Sequence, residues 1–183
     1  MRRSFVLASC LAASLSAAQE PPPELGKKAA MFRLMAYNPA AAGPWVGLEK
    51  FVGEAPADKA SKLVLLSFMA SFCAPCKKEL PALQQLHEKY RGDGLRVVLV
   101  SIDDQPEGMK IIEGLIAEHK VTFPVLKDRT TLAARRWLGK ETALPSVFLI
   151  KSDGIVSLVK RGYDEETGKA LEKEVRAQLG KAP

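Results

Sequence analysis

Apolar residues along this chain follow two kinds of spacing, and their alternation sets out a fold. Leu63-Val64-Leu65-Leu66-Ser67-Phe68-Met69 is a nearly continuous apolar run, as expected of a strand buried on both faces. Leu95 to Ile102 (LRVVLVSI) is a second run of this kind. Between them Leu80, Leu83, Leu86 and Tyr90 recur at helical spacing, and Gly92 and Gly94 end the pattern. Pro106 then opens a helix carrying Ile111, Ile112, Leu115 and Ile116, and Phe123-Pro124-Val125-Leu126 leads to another around Leu132 to Leu138. Ser146 to Ile150 and Ile155 to Val159 flank Ser152-Asp153-Gly154, a hairpin turn signal. Leu171, Val175 and Leu179, at i, i+4 and i+8, mark a closing helix. Parallel strand-helix units followed by an antiparallel pair predict an α/β domain, a mixed central sheet with helices on both faces. Asn38 to Gly53 follows neither period and reads as irregular. Trp45 within it reads as core or as a cover over the core, with core preferred, and Trp137 in the helical pattern is assigned to the core.

Composition changes this picture little. The 183 residues, 47% hydrophobic and 26% charged, suffice for one well-filled core and contain no repeat or low-complexity block. The net charge is +6, and the Lys and Arg are spread among Asp and Glu without a basic patch, which argues against a nucleic-acid partner.

The N-terminus changes it more. Arg2 and Arg3, the apolar stretch Phe5 to Leu15, and Ser16-Ala17-Ala18 before Gln19 read as a secretory signal over residues 1–18. Two variants compete with cleavage after Ala18. Leu7-Ala8-Ser9-Cys10 resembles a lipobox, which would place a lipid anchor on Cys10, and Arg2-Arg3-Ser4-Phe5-Val6 faintly resembles a twin-arginine signal. Residues 19–29, with Pro21-Pro22-Pro23, read as a stiff spacer before a domain at 30–181. The expected location is the periplasm or cell envelope.

An exported chain of this kind keeps two cysteines, Cys73 and Cys76, in an oxidising compartment. A zinc site needs further ligands, and His87 and His119 lack the paired spacing. A structural staple is a poor reading too, since a four-residue loop is worth only about 2 kcal/mol in the chain-entropy model. A redox pair is the leading reading. The pair sits at a strand-to-helix junction with Pro75 in the first turn, where a missing N–H costs nothing. Unpaired N–H groups at the helix start and the charges of Lys77 and Lys78 favour a thiolate, which marks Cys73 as nucleophile and Cys76 as the shielded resolving thiol. An ordinary solvated face accounts for the two lysines equally well.

Cys73-Ala74-Pro75-Cys76, Lys77-Lys78-Glu79-Leu80-Pro81, Val121 to Leu126 and Leu144-Pro145-Ser146-Val147-Phe148-Leu149-Ile150 together resemble the exported TlpA/ResA-like thiol-disulfide oxidoreductases of the thioredoxin superfamily. The resemblance covers roughly residues 30–180. It implies a thioredoxin-like fold and a redox-active disulfide, Cys73 to Cys76, with no other cofactor and no metal. It implies a cis peptide before Pro145, with Pro145 facing the disulfide and Leu144 pairing with an extended substrate. Glu79 matches the family's active-site acid, a proton donor and acceptor for Cys76; a surface helix residue is the plain alternative. Phe72, Pro75 and Leu144 would frame the substrate. The implied partners are disulfide-bearing envelope proteins, cytochrome precursors among them, and a membrane electron donor feeding the reductive direction. The sequence itself leaves direction and oligomeric state open.

Two positions depart from the family. Phe72 replaces the usual Trp before the first cysteine, and Ser67 replaces the buried acid of cytosolic thioredoxins. Two other functions stay open. A thiol peroxidase would use a PxxxTxxC setting, which Ala70-Ser71-Phe72 does not resemble, and a copper-binding module would need a wider cysteine spacing and a distal His.

Overall fold

The computed structural model describes residues 22–139 and 142–181. The signal-peptide reading, Cys10 included, lies outside the described residues. Seven strands form one sheet: β1 (Arg33–Ala36), β2 (Trp45–Gly47), β3 (Leu63–Met69), β4 (Leu95–Ser101), β5 (Val125–Lys127), β6 (Ser146–Lys151) and β7 (Val156–Arg161). Their order is β2-β1-β5-β4-β3-β6-β7, with β3, β4 and β5 parallel to one another and the remaining neighbours antiparallel. The continuous apolar runs thus take the central places, β3 between β4 and β6.

Four helices cover the sheet: α1 (Ala74–Tyr90), α2 (Pro106–Glu118), α3 (Leu132–Leu138) and α4 (Glu165–Gln178). The crossovers β3-α1-β4 and β4-α2-β5 step the same way across the sheet, so a single handedness places α1 and α2 on one face. α4 joins them there, and Leu80, Leu83, Leu86, Ile112, Leu171 and Val175 pack on the odd-numbered side chains of β3 and β4. α3 lies on the opposite face with Val46, Leu48, Phe51 and Val52. This is the mixed sheet with helices on both faces that the periodicity predicts.

Local chemistry sets the element ends. Pro75 and Pro106 sit in the first turns of α1 and α2. Asp164 caps α4 by accepting from the Thr167 N–H while the Thr167 hydroxyl accepts from the Asp164 N–H. Gly94, at φ +108°, ends the turn after α1 where a Cβ would lie 2.9 Å from the Ala60 carbonyl oxygen.

Three expectations change. The segment 38–53, read as irregular, contributes edge strand β2, and β1 lies just before it; three- and four-residue strands are too short to show a period. Trp45, expected in the core, is 53% exposed, because β2 is the sheet edge and Trp45 points away from the face that Val46 fills. Residues 26–29, read as part of the spacer, already pair with the β6–β7 hairpin: Gly26 N–H donates to the Val156 carbonyl, Ala29 N–H to that of Gly154. Trp137 is core as expected; its indole meets Phe32, Phe68 and Phe148 edge-on or tilted, and Nε1 donates to the Ala30 carbonyl at 3.0 Å. Among the described residues no helix is long and apolar enough to cross a membrane.

The two tryptophans predict opposite mutational costs. Trp137→Ala should destabilise the domain by about 3–5 kcal/mol through cavity formation, whereas Trp45→Ala should cost under about 1 kcal/mol. Urea unfolding of both variants checks this, and a similar cost for each would contradict the assigned environments.

Candidate functional site

β3 ends at Met69 and α1 begins at Ala74, so four residues carry the chain from the end of an inner strand into a helix. Cys73 is the N-cap of α1, held by its own N–H donating to the Ala70 carbonyl at 3.1 Å. Its Sγ accepts from the Cys76 N–H at 3.2 Å, the bond that an N-cap oxygen usually makes. Cys73 and Cys76 are joined in a disulfide. Both are buried, Cys73 at 7% exposure and Cys76 at 2%, so the expected order of access holds by a narrow margin. The helix start supplies the N–H groups and partial positive charge that stabilise a sulfur anion at Cys73. Lys77 is half-buried and Lys78 exposed, and neither forms an ion pair with a described residue.

Glu79 is not a surface residue. It lies one turn past Cys76 on the buried side of α1, at 1% exposure, and accepts a hydrogen bond from the Ser67 hydroxyl at 2.8 Å. Ser67 therefore has a positive role: the strand position that holds an acid in other members of the fold offers a donor to an acid arriving from the helix. Burial pushes the Glu79 carboxyl up from 4.5 to about 7, and the Ser67 bond only partly opposes this. A groove of about 290 Å³ between α1 and α4, lined by Leu83, Leu86, Tyr163 and Leu171 among others, reaches Glu79 from outside. Burial raises the Tyr163 phenol, and the Glu79 charge raises it further. Pro81 has no N–H to return to the Lys77 carbonyl, so α1 lacks one bond just beyond Glu79.

The Leu144–Pro145 peptide is cis, as the resemblance implies. Ser146 pairs with Phe68 in the β3–β6 register, which brings Pro145 level with Met69 at the end of β3 that leads to Cys73. Pro145 is buried and its carbonyl accepts from the Gly162 N–H at 2.8 Å, while Leu144 is half-buried. Phe72 is 79% exposed, the most exposed large apolar side chain among the described residues, and Pro75 is exposed beside it. All the expected site residues thus gather at one end of the sheet.

Two elements escaped the sequence reading. Tyr163 follows β7 and reads as a loop residue. Asp103, buried beneath the segment before Cys73, follows an apolar run and looks like any polar strand end; a single sequence carries no signal for either.

The chain is similar to several thiol-disulfide oxidoreductases. ResA, a thiol-disulfide oxidoreductase of Oceanobacillus iheyensis, is 32% identical over 105 residues, 57% of this chain and 52% of that protein. The sporulation thiol-disulfide oxidoreductase A of Bacillus subtilis is 31% identical over 101 residues, 54% of this chain and 58% of that protein. The chain thus spans little more than half the length of these curated relatives. A crystal structure from Chlorobium tepidum, provisionally described as the thiol:disulfide interchange protein DsbE, superposes with a TM-score of 0.70 at 29% identity, over 86% of this chain and 99% of that one. The resemblance to ResA-like proteins and the thioredoxin-like fold are borne out. With a family model matching residues 25–159, most of the described domain, the chain belongs to the AhpC/TSA family.

Proposed function

We propose that the domain is a thiol-disulfide oxidoreductase that exchanges disulfides with other proteins through Cys73 and Cys76. The observation that carries this reading is the Cys73–Cys76 disulfide at the start of α1, with Cys73 Sγ already accepting a helix N–H. In the reductive direction the Cys73 thiolate attacks a substrate disulfide, forming a mixed disulfide and releasing one substrate thiolate. The Cys76 thiol gives up its proton and attacks Cys73 Sγ, releasing the second substrate sulfur and closing the Cys73–Cys76 bond. Two electrons pass from the cysteine pair to the substrate, and a dithiol donor must return them. Glu79, one turn from Cys76, is placed to take that proton and, with a carboxyl near 7, to release it at neutral pH. Phe72, Pro75, Leu144 and Pro145 form the surface around the sulfur.

A peroxidase would need Thr where Ala70 stands, three residues before the cysteine, and nothing at the site favours that reading. The reductive direction, a membrane thiol donor and cytochrome precursors or other envelope proteins as substrates follow from the resemblance. An envelope location rests on the signal-like residues 1–18. Mass spectrometry of envelope fractions should find an N-terminus at Gln19, or a diacylated Cys10; an intact Met1 chain in the cytosol would contradict export.

Cys76→Ala should leave the mixed disulfide unresolved, so that substrate proteins stay attached through Cys73. The adduct should disappear with dithiothreitol and be absent from the Cys73→Ser, Cys76→Ala double variant. If no reducible protein adduct forms in the folded, exported protein, protein-disulfide exchange is the wrong function.

Glu79 gives a second test with a defined sign. Its folded value of about 7 exceeds the ordinary 4.5, so between these limits the folded state keeps a proton that the unfolded state has lost. Stability therefore falls as pH rises from about 4.5 to about 7, by about 3 kcal/mol in all, and is flat above. Glu79→Gln should remove this slope in urea titrations and the inflection near pH 7 in thiol oxidation rates. An unchanged pH profile would return Glu79 to a packing role.

A further inference from the structure

Two residues beyond β4, Asp103 is 6% exposed, and among the described residues no Lys or Arg pairs with it. Its carboxyl group is instead held by three donors. The Ser71 N–H reaches both oxygens, at 3.1 and 3.0 Å; the Ser71 hydroxyl donates to Oδ1 at 2.6 Å, and the Ser101 hydroxyl to Oδ2 at 2.8 Å. With the Ser101 proton committed to Asp103, the Tyr37 hydroxyl 3.4 Å away is left to donate to Ser101 Oγ. Tyr37 is in turn covered by Lys127, whose Nζ lies 4.3 Å from the ring centroid. From the other side α2 closes over the pair: a Cβ on Gly108 would lie 2.5 Å from Asp103 Oδ1 and 3.0 Å from Ser71 Oγ.

Two of the three donors belong to Ser71, which immediately precedes Phe72 and Cys73. We propose that Asp103 is a positioning residue that clamps the backbone at Ser71 so that Phe72 and Cys73 meet a protein substrate in one fixed arrangement. The physical need is plain at Phe72. A ring 79% exposed to water gains by folding back on the apolar surface around it, and a loop free to turn at Ser71 would let it do so. Burying a carboxyl group without a cation is costly unless donors converge on it, and here they converge on the segment that carries the nucleophile. The clamp holds contacts made by a folded substrate around Cys73. A small disulfide needs only the sulfur.

This inference rests on the protein-disulfide reading, and its test separates the two. Reduced wild-type protein, Asp103→Ala, Asp103→Asn and Gly108→Ala would each be reacted with insulin and with 5,5′-dithiobis(2-nitrobenzoic acid). Asp103→Ala should lower the second-order rate constant for insulin reduction about tenfold, mainly by raising the insulin concentration at which the rate saturates, and alter the small-disulfide rate by less than about twofold. Asp103→Asn, which keeps one acceptor oxygen, should recover part of the loss. Gly108→Ala, which displaces the carboxyl group without altering it, should reproduce the split and carries the test if Asp103→Ala fails to fold. Equal losses on both substrates, or no loss on either, would overturn the clamp. If wild type itself leaves insulin untouched, the functional reading fails, and hydrogen exchange then decides the clamp. The Ser71 amide should exchange about tenfold faster in Asp103→Asn and Gly108→Ala than in wild type, and unchanged protection would overturn it.

Discussion

The burial of β3 on both faces is the constraint on which the site depends. All seven of its residues are buried, and it pairs along its whole length with β4 and for six residues with β6. A strand held this way has one register, because a one-residue shift would exchange its two packed faces. That register fixes where the chain leaves the sheet, and hence where Cys73 caps α1. It also aims Ser67 at α1 and sets Ser146 opposite Phe68, so Glu79 and Pro145 inherit their positions from the same strand.

At Glu79 two effects of opposite sign compete, and burial wins. One hydroxyl donor favours the carboxylate, but removal from water penalises it more, and the group titrates near neutrality instead of near 4.5. Asp103, also buried, has three donors converging on it. One acid receives a single hydroxyl donor from the neighbouring strand; the other is bonded to the backbone and side chain of Ser71.

The sequence by itself determined the main architecture. Long buried strands and amphipathic helices carry a period over many residues, so β3, β4, α1 and α4 were legible, as was the strand-to-helix placement of the two cysteines. The resemblance added the cis bond before Pro145 and the match of Glu79 to an acid. Short elements were not legible. β1 and β2 have too few residues to express a period, and Trp45 has the apolar bulk of a core residue without being one, since an edge strand leaves one face open.

Tertiary structure alone decided whether Glu79 was a solvated helix residue or a buried acid, because that depends on how α1 packs against β3 and against α4, which lies far away in sequence. It alone brought Asp103 to Ser71 across 32 residues. A carboxyl group looks the same in a sequence whether water, a hydroxyl or a backbone N–H surrounds it. Hydrophobic spacing is a property of the chain, whereas the solvation of a single polar group is set by whatever the folded chain places around it.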